Sequence, residues 1–562
     1  MRIAITGIGI ISALGSGKEV NRARLLTGES GITMPHILAT EHREWPVGEV
    51  TLSTEELTAL ADGGQMPEGL SRTILLGHLA ANEALTDAGL TAEEVQGLKM
   101  VNGTTVGGMD RTEQVFGRWY RDGFDPTRDM PVYLQHPAHA TTRYISDLCG
   151  MKNDPLTLST ACSSSMNAII HGVQMLQMGN AERVLTGGTE ALTLFHLNGF
   201  ASLGILSENV CRPFAPDRDG INLGEGAAYL LLETESSALK RGAHVYGYIA
   251  GFANRCDAYH LTASSPDGDG AYLAMKHALR MAGLQPDHIE YINAHGTGTP
   301  NNDASESHAI ERLFGSPFVS PRWPEPRSTK SLTGHTTSAS GAIEAVFSLM
   351  LMRERGYKYV MTNAFGFGGN DSSLILSAVP TELPMAREHL QVRLEPIVRV
   401  DEDVDTTAYL SPMVSRRLSP QMKRLYVAAR RALEQAGLEK PDAVIVSTVW
   451  GRMQPTVALL KTLVLNGESE FSPSLFMQST HNAPASTLAI LLGCHGYNAT
   501  FATHHHSYEQ AKTNAMMPLF TDDAKNVLYC TYDEETTDWP QLLDNEDNQL
   551  SNITTAQILS CN

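Results

Sequence analysis

Basic residues are scarce in this 562-residue sequence: 42 Lys and Arg stand against 62 Asp and Glu, a formal net charge of −20. Phosphate binding needs a basic surface, so nucleic acid is excluded as the main partner, and an anionic membrane surface with it. No run of 18 apolar residues occurs, which argues against a transmembrane helix. No Cys-x-x-Cys pair occurs among the seven cysteines at 149, 162, 211, 256, 494, 530 and 561, so a metal knuckle or dithiol site has no support. Their odd count and wide spacing predict reduced thiols in the cytoplasm. What is present is 42% hydrophobic residues, enough for the cores of two or more domains. Residues 1–10 hold one basic side chain, and Gly7 and Gly9 break their apolar run, so they predict a buried first strand rather than a signal peptide.

Short apolar runs alternate with helical periodicity. Residues 2–11, 99–103 and 183–188 read as strands, and 73–88 and 164–177 as helices, the first stopped at Ala88-Gly89-Leu90. The alternation predicts an α/β fold with helices on both sides of sheets. Pro380, Pro384, Pro396 and the acidic run 401–403 mark a linker at 381–405. After it the chain repeats itself. Residues 79–90, LAANEALTDAGL, return as 427–438, VAARRALEQAGL. Gly150 corresponds to Gly493, a shift of 343 that puts Thr157 on Thr500, Ala168 on Ala511 and Cys162 on His505. Two matches in the same order favour a copy whose nucleophile has been replaced.

Cys162 lies in Leu-Ser-Thr-Ala-Cys-Ser-Ser-Ser, between a strand end and a helix start. That position predicts thiolate character from the helix dipole and unpaired N–H groups. Small neighbours leave room for a long thin substrate. His295 sits in Ala-His-Gly-Thr-Gly-Thr and His335 in Lys-Ser-Leu-Thr-Gly-His, where glycines permit sharp turns and close ligand approach. Neutral imidazoles donate hydrogen bonds to a thioester carbonyl and stabilise enolate charge. Two histidines with no carboxylate at ligand spacing make zinc a poor reading, and the adjacent His504, His505 and His506 converge badly on one ion. Lys330, with Glu344 one helix further on, predicts an internal ion pair that organises the site.

These segments resemble the β-ketoacyl-acyl-carrier-protein synthases. The likeness also includes Cys211-Arg212-Pro213-Phe214, Asp217-Arg218-Asp219-Gly220 and 363–370, NAFGFGGN. It runs through residues 1–380. It implies a thiolase-like five-layered α-β-α-β-α body of two similar halves, 1–245 and 246–380, and usually a homodimer. It further implies that Cys162 takes an acyl chain from the phosphopantetheine of an acyl-carrier protein. His295 and His335 would bind the malonyl thioester and assist loss of carbon dioxide. The backbone N–H groups of Cys162 and Phe367 would form the oxyanion hole, with Phe367 a gate and Lys330 and Glu344 in support. No tightly bound cofactor is expected. Residues 406–562 resemble a shortened, nucleophile-free, chain-length-factor-like unit, a partial thiolase-like domain carrying its likeness in 477–484, MQSTHNAP.

Two rival readings stay open. A coenzyme-A thiolase would need a second cysteine near residues 365–369, where there is none. A non-catalytic partner of another synthase suits 406–562 better than 1–380. Departures at Ile221-Asn222, 336–341 and Asp371 suggest an altered pocket. Arg72, Arg212 and Arg218 are candidate docking residues for an acidic carrier protein.

Overall fold

The computed structural model describes the chain except for residues 63–65, 316–325, 388–389, 402, 505–507, 535, 537, 541–553 and 562. Three successive stretches build the same five-part strand arrangement. The first holds β1 (Ile3–Ser12), β2 (Lys99–Gly103), β3 (Leu156–Leu158), β4 (Arg183–Glu190) and β5 (Gly226–Thr234). The second holds β6 (Gly247–Cys256), β7 (Tyr291–Asn293), β8 (Pro326–Arg327), β9 (Tyr359–Gly366) and β10 (Asn370–Ser377). The third holds β11 (Val392–Leu394), β12 (Val398–Val400), β13 (Ala443–Thr448), β14 (Tyr497–Ala502), β15 (Asn526–Thr531) and β16 (Thr554–Cys561).

In the first unit the spatial order is β3-β2-β4-β5-β1, the first three parallel and the rest antiparallel. The second repeats it as β8-β7-β9-β10-β6. The third repeats it as β14-β13-β15-β16, with β11 and β12 together taking the last place. The expected two similar halves and partial third copy are therefore present as one topology used three times. Residues 381–405, expected to be a linker, contribute β11 and β12 to the third sheet. Pro396 separates the two strands and does not prevent them, because proline is tolerated where it interrupts no ladder bond.

Antiparallel pairing of β1 with β6 joins the first two units. Between their sheets lie α2 (Ser164–Gln177), buried along its whole length, and α4 (Ser340–Arg355), buried through most of its turns. They cross where a Cβ on Gly341 would stand 2.7 Å from Met166 Cβ, so only glycine permits this approach. Outside, α1 (Arg72–Asp87) covers β1 and β5, and α3 (Asp269–Ala282) covers β6 and β10. Helix, sheet, helix, sheet, helix is the five-layered order expected. The third unit adds α5 (Pro420–Gln435), α6 (Ala483–Leu492) and α7 (Tyr508–Ala515).

The third unit docks through β14 on the free edge of β3. The pairs are Leu158 with Phe501 and Thr157 with Ala502, antiparallel. Adding 343 to Leu158 gives Phe501, so each strand meets its own counterpart about a local two-fold axis. The axis continues into the helices, where His171 Nε2 and Asn514 Oδ1 stand 2.9 Å apart. Among the described residues no helix is long and apolar enough to cross a membrane.

Candidate active site

The turn between β3 and α2 presents Cys162. Ala161 takes φ +54°, a left-handed conformation that a non-glycine residue adopts at a cost, and this bends the chain sharply enough to expose the next side chain. Cys162 Sγ lies 2.9 Å from His335 Nε2. Burial pushes the thiol up to about 12, opposed by Lys330 and by the backbone N–H groups of Phe367 and Cys162 itself. Burial thus opposes the thiolate expected from the helix N-terminus, because removing the sulfur from water disfavours its charged form.

His335 is held from both sides. Its Nδ1 lies 2.8 Å from Ser340 Oγ, and its backbone N–H donates to the backbone carbonyl of Asn222 at 2.7 Å. His295 lies with its ring 5.4 Å from that of His335, nearly perpendicular to it. Its N–H and that of Gly296 donate to the Glu306 carboxylate at 2.9 and 2.8 Å. Burial, with the Lys330 ammonium alongside, holds both imidazoles well below the usual histidine range, so both are neutral. Lys330 Nζ donates to His295 O at 2.7 Å and to Glu344 Oε1, forming the expected internal ion pair. Burial still pushes Glu344 up to about 7.

Two cavities meet at the sulfur. The inner one, about 60 Å³, is lined by Phe195, Phe476 and other apolar side chains, with His136, His196 and His481 among them. Trp450, Met453 and Phe476 in that wall belong to the third unit. The outer one, about 250 Å³, holds His295, His335, Thr297, Asn301 and Asn302. Cys162, Phe200 and Phe367 line both, and the Phe200 and Phe367 rings stand 5.7 Å apart across the junction.

All six residues singled out from the sequence therefore converge. Three others were missed. Ser340 lies in the polar run 336–341, and Asn222 in the Ile-Asn departure, so both carried a signal. Glu306 carried none. Arg72 is corrected as a docking candidate: it is buried and paired with Glu225 at 2.6 Å, because its fork also satisfies the carbonyls of Val50 and Leu52. Arg212 is exposed and paired with Asp217, and Arg218 donates to Pro300 O at 3.1 Å on the rim of the outer cavity. His505 and His506 lie outside the described residues. Among the described residues no cluster of three or more His, Cys, Asp or Glu could hold a metal ion.

Residues 1–238 match the family model "Beta-ketoacyl synthase, N-terminal domain" and residues 246–359 its C-terminal counterpart. The chain belongs to the β-ketoacyl synthase family. Residues 390–560 match a second N-terminal-domain model of the same family, in keeping with the repeated topology. The chain is similar to 3-oxoacyl-[acyl-carrier-protein] synthase 2 of Staphylococcus aureus (strain MRSA252), 32% identical over 414 residues, covering 67% of this chain and 98% of the relative. The Vibrio cholerae enzyme of the same name is 31% identical over 414 residues, covering 66% and 98%. Among solved structures, the ishigamide ketosynthase/chain length factor is 29% identical with a TM-score of 0.63, over 67% of this chain and 99% of that one. The PfaC keto synthase-chain length factor is 18% identical with a TM-score of 0.77, over 95% of this chain and 74% of that one, a likeness of fold.

Proposed function

We propose that this β-ketoacyl synthase joins an acyl group held on Cys162 to a malonyl unit carried by acyl-carrier protein, with loss of carbon dioxide. The observation that carries the reading is the position of the sulfur where two cavities meet, a narrow one holding Phe195 and Phe476 and a wider one holding two neutral histidines. The first suits an acyl chain, the second a malonyl thioester on a phosphopantetheine arm.

In the first half-reaction the thiol attacks the acyl thioester carbonyl. Its proton passes to His335 Nε2 and on to the departing phosphopantetheine sulfur, so a new C–S bond replaces the old one. The Ser340 hydroxyl both donates and accepts. It therefore supports His335 with Nε2 as acceptor in this step and with Nε2–H as donor in the next. In the second half-reaction the malonyl C–C bond to the carboxylate breaks and carbon dioxide leaves. The electron pair is held as an enolate whose oxygen receives hydrogen bonds from His295 and His335. No base is required, which suits imidazoles held neutral by burial. The enolate carbon attacks the acyl-Cys162 carbonyl, whose oxygen turns toward the N–H groups of Cys162 and Phe367. Collapse breaks the C–S bond and leaves a β-ketoacyl product two carbons longer, and Cys162 recovers a proton from solvent.

The sequence of the third unit repeats none of the motifs around Cys162, His295 and His335. Its Trp450, Met453 and Phe476 wall the acyl cavity, which supports a role in setting the chain accepted. A second copy of the chain is not required to complete the cavity, and an expected homodimer must use a face other than the β3 edge that β14 fills. Substrates arrive on carrier protein, and no bound cofactor is invoked. Incubation of the purified chain with acyl- and malonyl-carrier proteins, read by mass spectrometry, tests the proposal. A product longer by two carbons is expected. Acylation of the chain with no elongation would leave the non-catalytic partner reading in its place.

A further inference from the structure

The loop 366–369 between β9 and β10 carries Phe367, and the third unit grips it. Asn482 Nδ2 donates to the Phe367 carbonyl at 2.8 Å. The N–H at the other end of the same peptide, that of Gly368, donates to Leu261 O at 2.9 Å. Peptide 367–368 is thus pinned at both polar ends, and each residue has only two soft dihedrals. Gly369 N donates to Gly366 O at 3.0 Å and closes the turn from the far side. The preceding peptide, whose N–H faces Cys162 Sγ, is left one direction in which to aim.

The local chemistry of Asn482 points the same way. It is the N-cap of α6 and is 1% exposed. An N-cap asparagine ordinarily turns its oxygen onto the N–H groups of the first turn. This one makes no such bond, and its buried Oδ1 has no partner. Turning the amide over would set Oδ1 against the Phe367 carbonyl, two acceptors facing one another. The amide therefore turns its donors toward the Phe367 carbonyl and, at 3.4 Å, toward Ser486 Oγ in its own helix. Gly368 stands close to the same helix, where a Cβ would lie 2.2 Å from Ser486 Oγ.

We propose that Asn482 is a positioning residue for acyl transfer at Cys162, and that the third unit acts on the chemistry by aiming the Phe367 N–H. This rests on the reading of that N–H as an oxyanion donor. It gives residues 406–562 a part in the reaction that does not depend on a nucleophile of their own.

Asn482→Asp keeps the shape and replaces a donor by an acceptor. In the full-length chain, acylation of Cys162 by an octanoyl-pantetheine thioester, followed by quenched-flow mass spectrometry, should fall roughly 10- to 100-fold at pH 8, somewhat less than for outright removal of an oxyanion donor. The ratio to wild type should recover as pH falls toward 5, because a protonated carboxyl donates as the amide does. Asn482→Ala should show the loss without the recovery. Malonyl decarboxylation, which rests on His295 and His335, should stay within about twofold of wild type, a split that simple loosening of the fold would not give. Thermal unfolding of each variant identifies one that fails to fold, and Asn482→Ser, which keeps a donor of smaller size, should then retain more acylation than Asn482→Ala. Wild-type acylation in both Asn482→Asp and Asn482→Ala, or equal loss of acylation and decarboxylation with no pH recovery, overturns the proposal. Acylation that persists in Cys162→Ala would instead overturn the underlying reading.

Discussion

His171 and Asn514 hold one another at 2.9 Å, and their numbers differ by 343, the shift at which the third unit repeats the first. The contact joins each helix to its own counterpart. It makes the third unit the symmetry mate of the first and explains why its side chains reach the acyl cavity of Cys162.

Removing the third unit should therefore expose the β3 edge together with the buried face of α2, around His171, that packs on Phe501. Unpaired edges and apolar patches drive association. A 1–380 fragment is expected to aggregate or to dimerise through β3. Size-exclusion chromatography with light scattering checks this, and a soluble monomeric fragment of full activity would show that the unit is dispensable.

Alkylation of Cys162 by iodoacetamide should rise about tenfold per pH unit from pH 7 to 10. The thiol is pushed up to about 12, so the thiolate fraction climbs throughout that window. A plateau reached below pH 8 would mean that the helix N-terminus and His335 overcome burial.

His295→Ala and His335→Ala should each lower malonyl decarboxylation by roughly 10²–10³-fold, about 3–4 kcal/mol, as loss of an oxyanion donor does. Formation of acyl-Cys162 should survive in His295→Ala. Unimpaired release of carbon dioxide from both variants counts against the enolate role.

Lys330→Met should cost about 3–5 kcal/mol of stability, because it leaves Glu344 buried without its cation. Lys330→Met with Glu344→Gln should recover most of that in urea unfolding without recovering condensation. The sign with pH follows from Glu344, pushed up to about 7 from an ordinary 4.5. The folded state holds this proton more tightly, so its contribution is full below about 4.5 and is lost as pH rises to about 7. Glu344→Gln should flatten the pH dependence of stability across that window.

Trp450→Ala should enlarge the inner cavity from the third unit's side and shift elongation toward longer acyl chains, measured as relative kcat/KM across a chain-length series. An unchanged preference would remove Trp450 from the determinants of length.

The sequence announced the chemistry because each motif is local: a nucleophile on a tight turn and imidazoles beside glycines must be written in adjacent letters. It announced the third unit through helix 427–438, whose periodicity survives divergence. It could not announce the pairing of Leu158 with Phe501, since that register is set by two distant strands with no turn between them. Nor could it announce how deeply Cys162 is buried, because the cavities around it are lined by the 366–369 loop and by the third unit as well as by its own turn. Asn482 is visible only as one letter of 477–484, MQSTHNAP, and nothing in those letters sets the direction of its amide.

The antiparallel junction of β3 and β14 also has a stoichiometric consequence. In a synthase built from separate chains, dilution parts the subunits, and related subunits can exchange. Here the unit whose Trp450, Met453 and Phe476 line the inner cavity is covalently tethered, so docking is intramolecular and its occupancy is set by the tether rather than by cellular concentration. One nucleophile is always matched to one fixed cavity wall.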